Sequence, residues 1–307
     1  SPSMFEGCIL LQSVKIPDTV ETMGEFAFAN CTNLALVSLS SNLTEIAEGA
    51  FYGTMLESIV LPEKVTKIGV SAFEGTSLES IYLANVTDIG ARAFYGTSLT
   101  DVISDSILTV GDYAFAANTE AEQNTSALKQ VILSSVTSIG AYAFANNPKL
   151  TRADIASATQ IGEGAFDGDA ALSVLEVSSA KSIGNYAFRG TAALTEVSLP
   201  ALETIGSLVF DGSSITEIDL PATVTSVAEQ AFAGAKGLTS ITVDEGNALY
   251  LSENGVLYRN TGSYNYVTLV AYPEGKTDTV FDWSDSSLRV IRIGAYAFAN
   301  NPYLESI

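Results

Sequence analysis

Hydrophobic and polar positions along the chain follow one short pattern that returns about every 22 residues. Its most regular member is a phenylalanine, usually preceded by alanine, at Phe5, Phe28, Phe51, Phe73, Phe94, Phe115, Phe144, Phe166, Phe188, Phe210, Phe232 and Phe298. Two spacings are longer, from Phe115 to Phe144 and from Phe232 to Phe298, and they indicate insertions. A fixed period of about 20 to 50 residues is typical of solenoids and other repeat architectures.

Each unit contains apolar positions with the spacing of a β-strand. In "LTEVSLP" at 194–200, Leu194, Val197 and Leu199 are apolar, and the last two are two residues apart, so their side chains share one face of a strand. A proline often follows and ends the hydrogen-bonded ladder, as at Pro17, Pro62, Pro200 and Pro221. Strands that recur in one sense with a crossover between them predict a parallel stack.

A second part of each unit resembles "IGNYAF" at 183–188. The spacing of Ile183, Ala187 and Phe188 predicts a short helical turn with one face in the core. The residue two places after the phenylalanine is Gly or Asn in every unit except at Ala117, which predicts a left-handed cap. Between the strand and this turn, the "VTxI" segment predicts a short second extended piece. The decapeptide "IGAYAFANNP" occurs at 139–148 and again at 293–302, and both copies correspond to this predicted turn and its cap.

The full unit reads approximately I-G-x-x-A-F-x-G-x-x-x-L-x-x-V-x-L-P-x-x-V-T-x and resembles the leucine-rich repeats of the BspA type. Such repeats occur in bacterial cell-surface proteins and in some parasitic protists. The resemblance implies a right-handed solenoid with a parallel sheet on one side, and secretion or surface display with a role in adhesion. It implies no catalytic residue.

The predicted fold is therefore a repeat solenoid, mainly β with short helical turns. Residues 1–243 are predicted to form the solenoid, with a truncated first coil and a polar loop insertion at 117–126. Residues 244–292 are predicted to form a β-hairpin island, and 293–307 a resumed, truncated repeat. Because both ends cut through a repeat, we expect the chain to be a piece of a longer protein.

The island contains two β-rich runs, 255–259 and 266–272, around the turn-rich "NTGSYN". One interpretation is a local buttress that covers the stack. The alternative is a ligand site, since aromatic side chains are enriched at interfaces. Its candidate residues are Tyr250, Tyr258, Tyr264, Tyr266, Tyr272 and Trp283.

The amino-acid composition disfavours several classes of function. The chain has 35 acidic and 14 basic residues and a net charge of −21, which disfavours binding to nucleic acid or anionic lipid. It has no histidine, so the commonest general base and metal ligand are missing. No apolar run approaches the roughly 20 residues that span a bilayer. We expect no enzymatic activity, no cofactor and no membrane insertion by this segment.

Cysteines and acidic pairs offer little further chemistry. Cys8 and Cys31 occupy the same repeat position, so a disulfide is geometrically allowed, but two stacked buried thiols are the favoured interpretation. The acidic pairs at Asp167 with Asp169 and at Asp244 with Glu245 do not match an EF-hand loop, and no calcium site is predicted.

The outward position of the predicted strand carries the functional hypothesis. Four consecutive coils place apolar residues there, namely Val60, Tyr82, Ile103 and Ile132, and later coils place acids there, namely Asp154, Glu176 and Asp219. An apolar stripe beside acidic rows predicts a docking surface for a protein partner, with a glycan as another possibility. The alternatives are that these residues simply suit strands, and that the chain is a spacer presenting another domain of a surface protein.

Overall fold

The structure, a computed structural model, describes residues 2–118, 126–263, 265–285 and 287–307. It confirms the predicted fold class, because the chain forms a parallel β-solenoid of about 12 turns. Most of the predicted loop insertion lies outside the described residues. The division of the chain into solenoid, island and resumed repeat stays a prediction.

The regular elements are short. A 3₁₀ helix covers Trp283–Asp285. The strands, in chain order, are β1 (Ser13–Lys15), β2 (Leu36–Ser38), β3 (Glu45–Ile46), β4 (Ser58–Ile59), β5 (Lys67–Ile68), β6 (Ser80–Ile81), β7 (Asp88–Ile89), β8 (Asp101–Ser104), β9 (Thr109–Val110), β10 (Gln130–Leu133), β11 (Ser138–Ile139), β12 (Arg152–Asp154), β13 (Gln160–Ile161), β14 (Val174–Glu176), β15 (Ser182–Ile183), β16 (Thr204–Ile205), β17 (Glu217–Leu220), β18 (Ser226–Val227), β19 (Ser240–Val243), β20 (Tyr250–Glu253), β21 (Val256–Asn260), β22 (Tyr266–Ala271) and β23 (Arg289–Ile293).

The longest sheet is built from the second extended piece of each coil. Its nine strands run in the order β18-β16-β15-β13-β11-β9-β7-β5-β3, and equivalent residues face each other, as Ile139 faces Ile161. The first strands of the coils pair in shorter groups, β1-β2, β4-β6, β14-β12-β10-β8 and β17-β19. The strand predicted at 194–200 is absent from the described residues, so the first-strand sheet is interrupted between β14 and β17.

A stack of phenylalanine rings runs through the centre of the solenoid. From Phe5 to Phe210, each ring lies nearly parallel to the next, with centroids 5.1 to 5.8 Å apart. Most of these rings are completely buried among the inward-facing aliphatic residues of the strands. From Phe28 to Phe232, the phenylalanine repeat found in the sequence therefore lies in one continuous core, whereas Phe298 packs against a second apolar cluster.

The predicted helical turn is wrong in detail, because the "IGxxAF" segment is a run of tight turns. The left-handed residue after the phenylalanine is confirmed, as at Gly75 (φ 67°). A second left-handed residue precedes the phenylalanine by two places, and it is often not glycine, as at Ser71 (φ 51°) and Tyr142 (φ 54°). These reversals turn every second N–H away from the coil, which an α-helix cannot do.

The N–H groups that point out of the turn bind the next coil. Phe73 N donates to Ala93 O at 2.8 Å and Gly75 N to Tyr95 O at 2.9 Å, whereas Glu74 N closes a local turn on Ser71 O at 3.2 Å. The glycine of "IG" allows the coils to approach this closely. A Cβ at Gly162 would lie 2.5 Å from the backbone of Gly140 in the preceding coil.

The predicted island contains more strands than a hairpin. The two β-rich runs correspond to β21 and β22, and β20 pairs with β21 on the other side, all antiparallel. β23 then pairs with β22 in parallel. Tyr250 and Leu257 join the solenoid core, whereas Val256 and Tyr258 face a second apolar cluster.

Part of the island imitates a coil. Tyr272 N donates to Ala297 O at 2.7 Å, the same bond that the stacked phenylalanines make to the alanine of the next coil. Gly234 N donates to the Glu274 Oε1 at 2.7 Å, where Gly212 N uses the carbonyl of Gly234. A buried carboxylate thus replaces a backbone carbonyl at this junction.

We expect F144A to lower the free energy of unfolding by about 3–5 kcal/mol, the usual cost of removing a buried aromatic ring. Urea denaturation followed by circular dichroism would measure it. F5A is the matched control, because Phe5 is 40% exposed at one end of the stack and should lose less than half as much. Equal losses for the two variants would contradict a continuous buried stack.

Candidate functional site

The predicted docking residues form a row of equivalent outward positions, which runs over three separate groups of first strands, β4-β6, β14-β12-β10-β8 and β17-β19. Ile103 faces Ile132, Ile132 faces Asp154, and Asp154 faces Glu176 in the parallel register. Val60 and Tyr82 extend the aligned strands β4 and β6 by one residue each. Asp219 lies further along, beyond the interruption of the sheet, and faces Thr242.

The apolar half of the row is strongly exposed in three of its four coils. Val60 is 86% exposed, Tyr82 80% and Ile103 54%, whereas Ile132 is half-buried. Leu36, 69% exposed on the same face of β2, is a further apolar residue that the sequence hypothesis missed. Leu36 lies two residues before Ser38, the outward position of its coil. The hypothesis considered only one outward position in each coil, so it did not include Leu36. Ile132 contributes less than predicted, and Leu36 enlarges the apolar surface.

Two of the three acidic residues in the row have side-chain partners, and only one of these partners is a cation. The Arg152 guanidinium lies 3.0 Å from the Asp154 Oδ2. The Thr242 hydroxyl donates to the Asp219 carboxylate. Glu176 is exposed on β14. The negative charge on this face therefore lies mainly beyond Asp154, at Glu176, Asp219 and the exposed Glu217.

The cysteines differ in their surroundings. Both are free thiols in the described part of the chain, but Cys8 is exposed and Cys31 is buried. The expectation of two buried thiols is therefore confirmed for Cys31 and wrong for Cys8. The Cys31 thiol donates to Phe5 O at 3.0 Å, and burial raises its pKa.

The acidic pairs are held by protein partners. Asp167 makes a two-point ion pair with Arg189, whose Nε lies 2.8 Å from Oδ1. Asp169 is fully buried and accepts a hydrogen bond from Asn147 N at 2.7 Å. Asp244 accepts from Gly246 N at 2.7 Å. Across the described ranges, no group of three acidic, histidine or cysteine residues is arranged to hold a metal ion.

The described aromatic candidates of the island lie in different surroundings. Tyr250 is buried in the solenoid core, and its hydroxyl accepts from Val227 N at 3.0 Å. Tyr258 and Tyr272 are buried in the second cluster. Tyr266 and Trp283 are exposed by 36% and 37%. Tyr264, the remaining candidate, lies outside the described residues.

The helices of the structure were compared with the requirements for a membrane span. Within the described ranges, no helix has the length and apolarity that a bilayer span requires.

Comparison with known proteins agrees with the fold. The family described as BspA type leucine rich repeat region matches residues 1–122, 123–202 and 159–255, in six copies. The chain belongs to this family of leucine-rich repeat proteins, as its repeat pattern predicted. No curated protein matches the chain significantly.

Several solved structures of bacterial leucine-rich repeat proteins are similar. One from Eubacterium ventriosum ATCC 27560 is 31% identical, with a TM-score of 0.51, over 58% of this chain and 46% of that chain. A leucine rich cell surface protein from Faecalibacterium prausnitzii A2-165 is 24% identical (TM-score 0.44; 79% of this chain, 62% of that chain). The pneumococcal vaccine antigen PcpA is 17% identical (TM-score 0.36; 99% and 55%). The chain spans less than half of the Eubacterium protein.

Asp169 makes stability depend on pH. Burial raises the pKa of its carboxyl well above the usual range, and the nearby Asp167 charge adds to this, against a lowering by the Asn147 N–H. The folded state then binds more protons than the unfolded state above about pH 4. The stability contributed by the neutral carboxyl is complete below that pH and is lost as the pH rises through the folded-state pKa.

We therefore expect D169N to stabilise the chain relative to the natural sequence, by an amount that grows between pH 4 and pH 7. Asn147 occupies the same repeat position as Asp169, three residues after the phenylalanine, and its Nδ2 donates to the carbonyl of Phe144. An asparagine at position 169 can therefore make the same hydrogen bond. Urea denaturation at both pH values would measure the difference. A constant difference across this range would show that Asp169 does not titrate in the folded state.

Thiol labelling should separate the two cysteines. Iodoacetamide should modify Cys8 rapidly in the native chain and Cys31 about 100-fold or more slowly, because a buried, high-pKa thiol forms little accessible thiolate. Mass spectrometry of timed samples would measure both rates. In the C8S variant, only the slow modification of Cys31 should remain. Equal rates in native protein would contradict the burial of Cys31.

Proposed function

We propose that the chain is a non-enzymatic binding module of a bacterial cell-surface or secreted protein, which docks a protein partner on the first-strand sheet. The single observation that carries the proposal is the exposure of Val60, Tyr82 and Ile103 at the equivalent outward position of three consecutive coils. Contiguous exposed apolar residues rimmed by polar ones mark interaction surfaces. Surface display is what membership of the BspA-type family favours.

The solenoid favours binding through an extended face. The coils that carry Val60, Tyr82 and Ile103 are stacked on one another through the paired strands β3, β5, β7 and β9 and through the rings from Phe51 to Phe115, so these side chains are held in place before a partner arrives. A preorganised surface avoids part of the entropic cost of association. Aromatic residues such as Tyr82 are frequent anchors of interfaces.

Charge favours a partner with a basic patch. Glu176, Glu217 and Asp219 extend the row on one side of the apolar residues, and the chain carries a net charge of −21. Complementary charges orient an approaching partner and raise its association rate. The same charge opposes binding to nucleic acid. The absence of histidine from the sequence supports binding without catalysis.

The test is a binding assay with a panel of purified extracellular-matrix proteins and immobilised glycans. For any protein that binds the natural chain, Y82E/I103E should weaken binding by about tenfold or more, or about 1.4 kcal/mol. Surface plasmon resonance would measure the affinities, and circular dichroism would verify the fold. Both side chains are mostly exposed, so the substitutions should cost little stability.

V70E/L108E is the matched control. Val70 and Leu108 are also exposed apolar residues, but they lie outside the row, at repeat positions where other coils carry Glu163 and Lys181. This variant should bind like the natural chain. Equal affinity for Y82E/I103E would end the docking hypothesis. If no member of the panel binds, the result would favour the alternative that the chain is a spacer. If only glycans bind, the partner would be a glycan and not a protein.

A further inference from the structure

A cleft in the island has features of a second binding site. It is an open cleft of about 400 Å³ between the β20–β21 turn and the segment before the 3₁₀ helix. That volume is at the lower end of ligand pockets, about 300–1,000 Å³. Three carboxylates line it, at Glu253, Asp278 and Asp282, together with the ammonium group of Lys276.

An unpartnered hydroxyl belongs to the lining of this cleft. Tyr258 is 2% exposed, and its hydroxyl makes no hydrogen bond with any described residue. Buried tyrosine hydroxyls usually find a partner, because an unpaired buried polar group costs free energy. Tyr250 and Tyr272 follow this rule, through Val227 N and the Asp278 carboxylate. The Tyr258 hydroxyl has no such partner, but it is not sealed from solvent, so water reaches it and a ligand in the cleft can replace that water.

The carboxylates are oriented and charged. Asp278 accepts from the Lys276 ammonium at 2.8 Å, and Asp282 Oδ1 accepts from the Ser284 hydroxyl at 2.7 Å and from Ser284 N at 2.8 Å. These hydrogen bonds lower the pKa of both carboxyls. Glu253 is held by the Ser287 hydroxyl at 2.8 Å. Three acids against one base leave the cleft negative, which favours a cationic ligand.

The shape of the site favours an organic cation over a metal ion. The described carboxylates do not converge as metal ligands. The rings of Tyr272 and Phe281 meet edge to face at 5.6 Å, and the Lys276 ammonium already lies 5.9 Å from the centre of the Tyr272 ring. A planar guanidinium combines five donors with the capacity to stack on aromatic rings, and it can reach separated acceptors at once.

We propose that this cleft binds an arginine side chain presented by a protein or peptide partner. The guanidinium donates to the carboxylates of Asp278 and Asp282 and to the Tyr258 hydroxyl, and it lies against the aromatic wall at Phe281. The site uses residues of the island and is separate from the sheet row, so either site can exist without the other.

The test uses the whole chain and a peptide with one arginine, acetyl-Gly-Gly-Arg-Gly-Gly-amide, titrated by NMR at about 150 mM salt. The citrulline peptide is the neutral isostere, and lactose represents a neutral glycan. We expect the arginine peptide to bind at least about tenfold more tightly than the citrulline peptide, the effect of a charged hydrogen-bond donor. Y258F, which removes one oxygen atom, should weaken binding by about tenfold.

Charge is tested with two matched pairs of substitutions. D278N/D282N should weaken arginine binding by about tenfold or more, and E48Q/E245Q, which removes the same charge from exposed positions elsewhere, should leave it unchanged. Equal binding of the arginine and citrulline peptides, natural affinity of Y258F, equal effects of the two double variants, or binding of lactose alone would each overturn the proposal.

Discussion

The structure depends on the stacking of each coil on its neighbours. A coil of about 22 residues cannot bury its own phenylalanine, and the ring is covered because the next coil presents another ring 5.1 to 5.8 Å away. The same contact brings the backbones together, so the N–H groups that leave one turn find carbonyls in the next. Ring stacking and backbone pairing support each other, and neither has a partner in an isolated coil.

This dependence explains the chemistry of the island. At the junction between the solenoid and the island, Tyr272 and Glu274 provide the backbone donor and the acceptor that a regular coil would provide. The island therefore continues the stacking with other residues, and its Tyr258 side of the sheet is free to form a second cluster and a cleft.

The same architecture decides what is available for binding. Inward positions are occupied by the core, and the turns are occupied by bonds between coils, so recognition falls to outward side chains and to the insertion. Repetition places equivalent outward residues in rows, which makes an extended surface from single contacts on each coil. The sheet row and the island cleft are two such places, with different chemistry.

The sequence alone was enough for the period, the core phenylalanines, the left-handed glycine or asparagine and the row of outward residues. These follow from spacing, because a repeat that buries one face must do so in every copy. The left-handed residue before the phenylalanine could not be predicted, since Ser71 and Tyr142 share no residue type. The exposure of Leu36 and the partial burial of Ile132 also depend on neighbours from other coils.

The duplicated decapeptide separates what the local sequence determines from what the tertiary structure determines. In the first copy, Phe144 stacks between parallel rings and Asn147 bonds to the carbonyls of Phe115 and Phe144. In the second copy, Phe298 packs edge to face against Phe281, and Asn301 bonds to Pro273, Glu274 and Lys276. Ten identical residues determine the turn, because its dihedral angles are local. The partners of its rings and amides are set by whichever coil or insertion the chain stacks beside it.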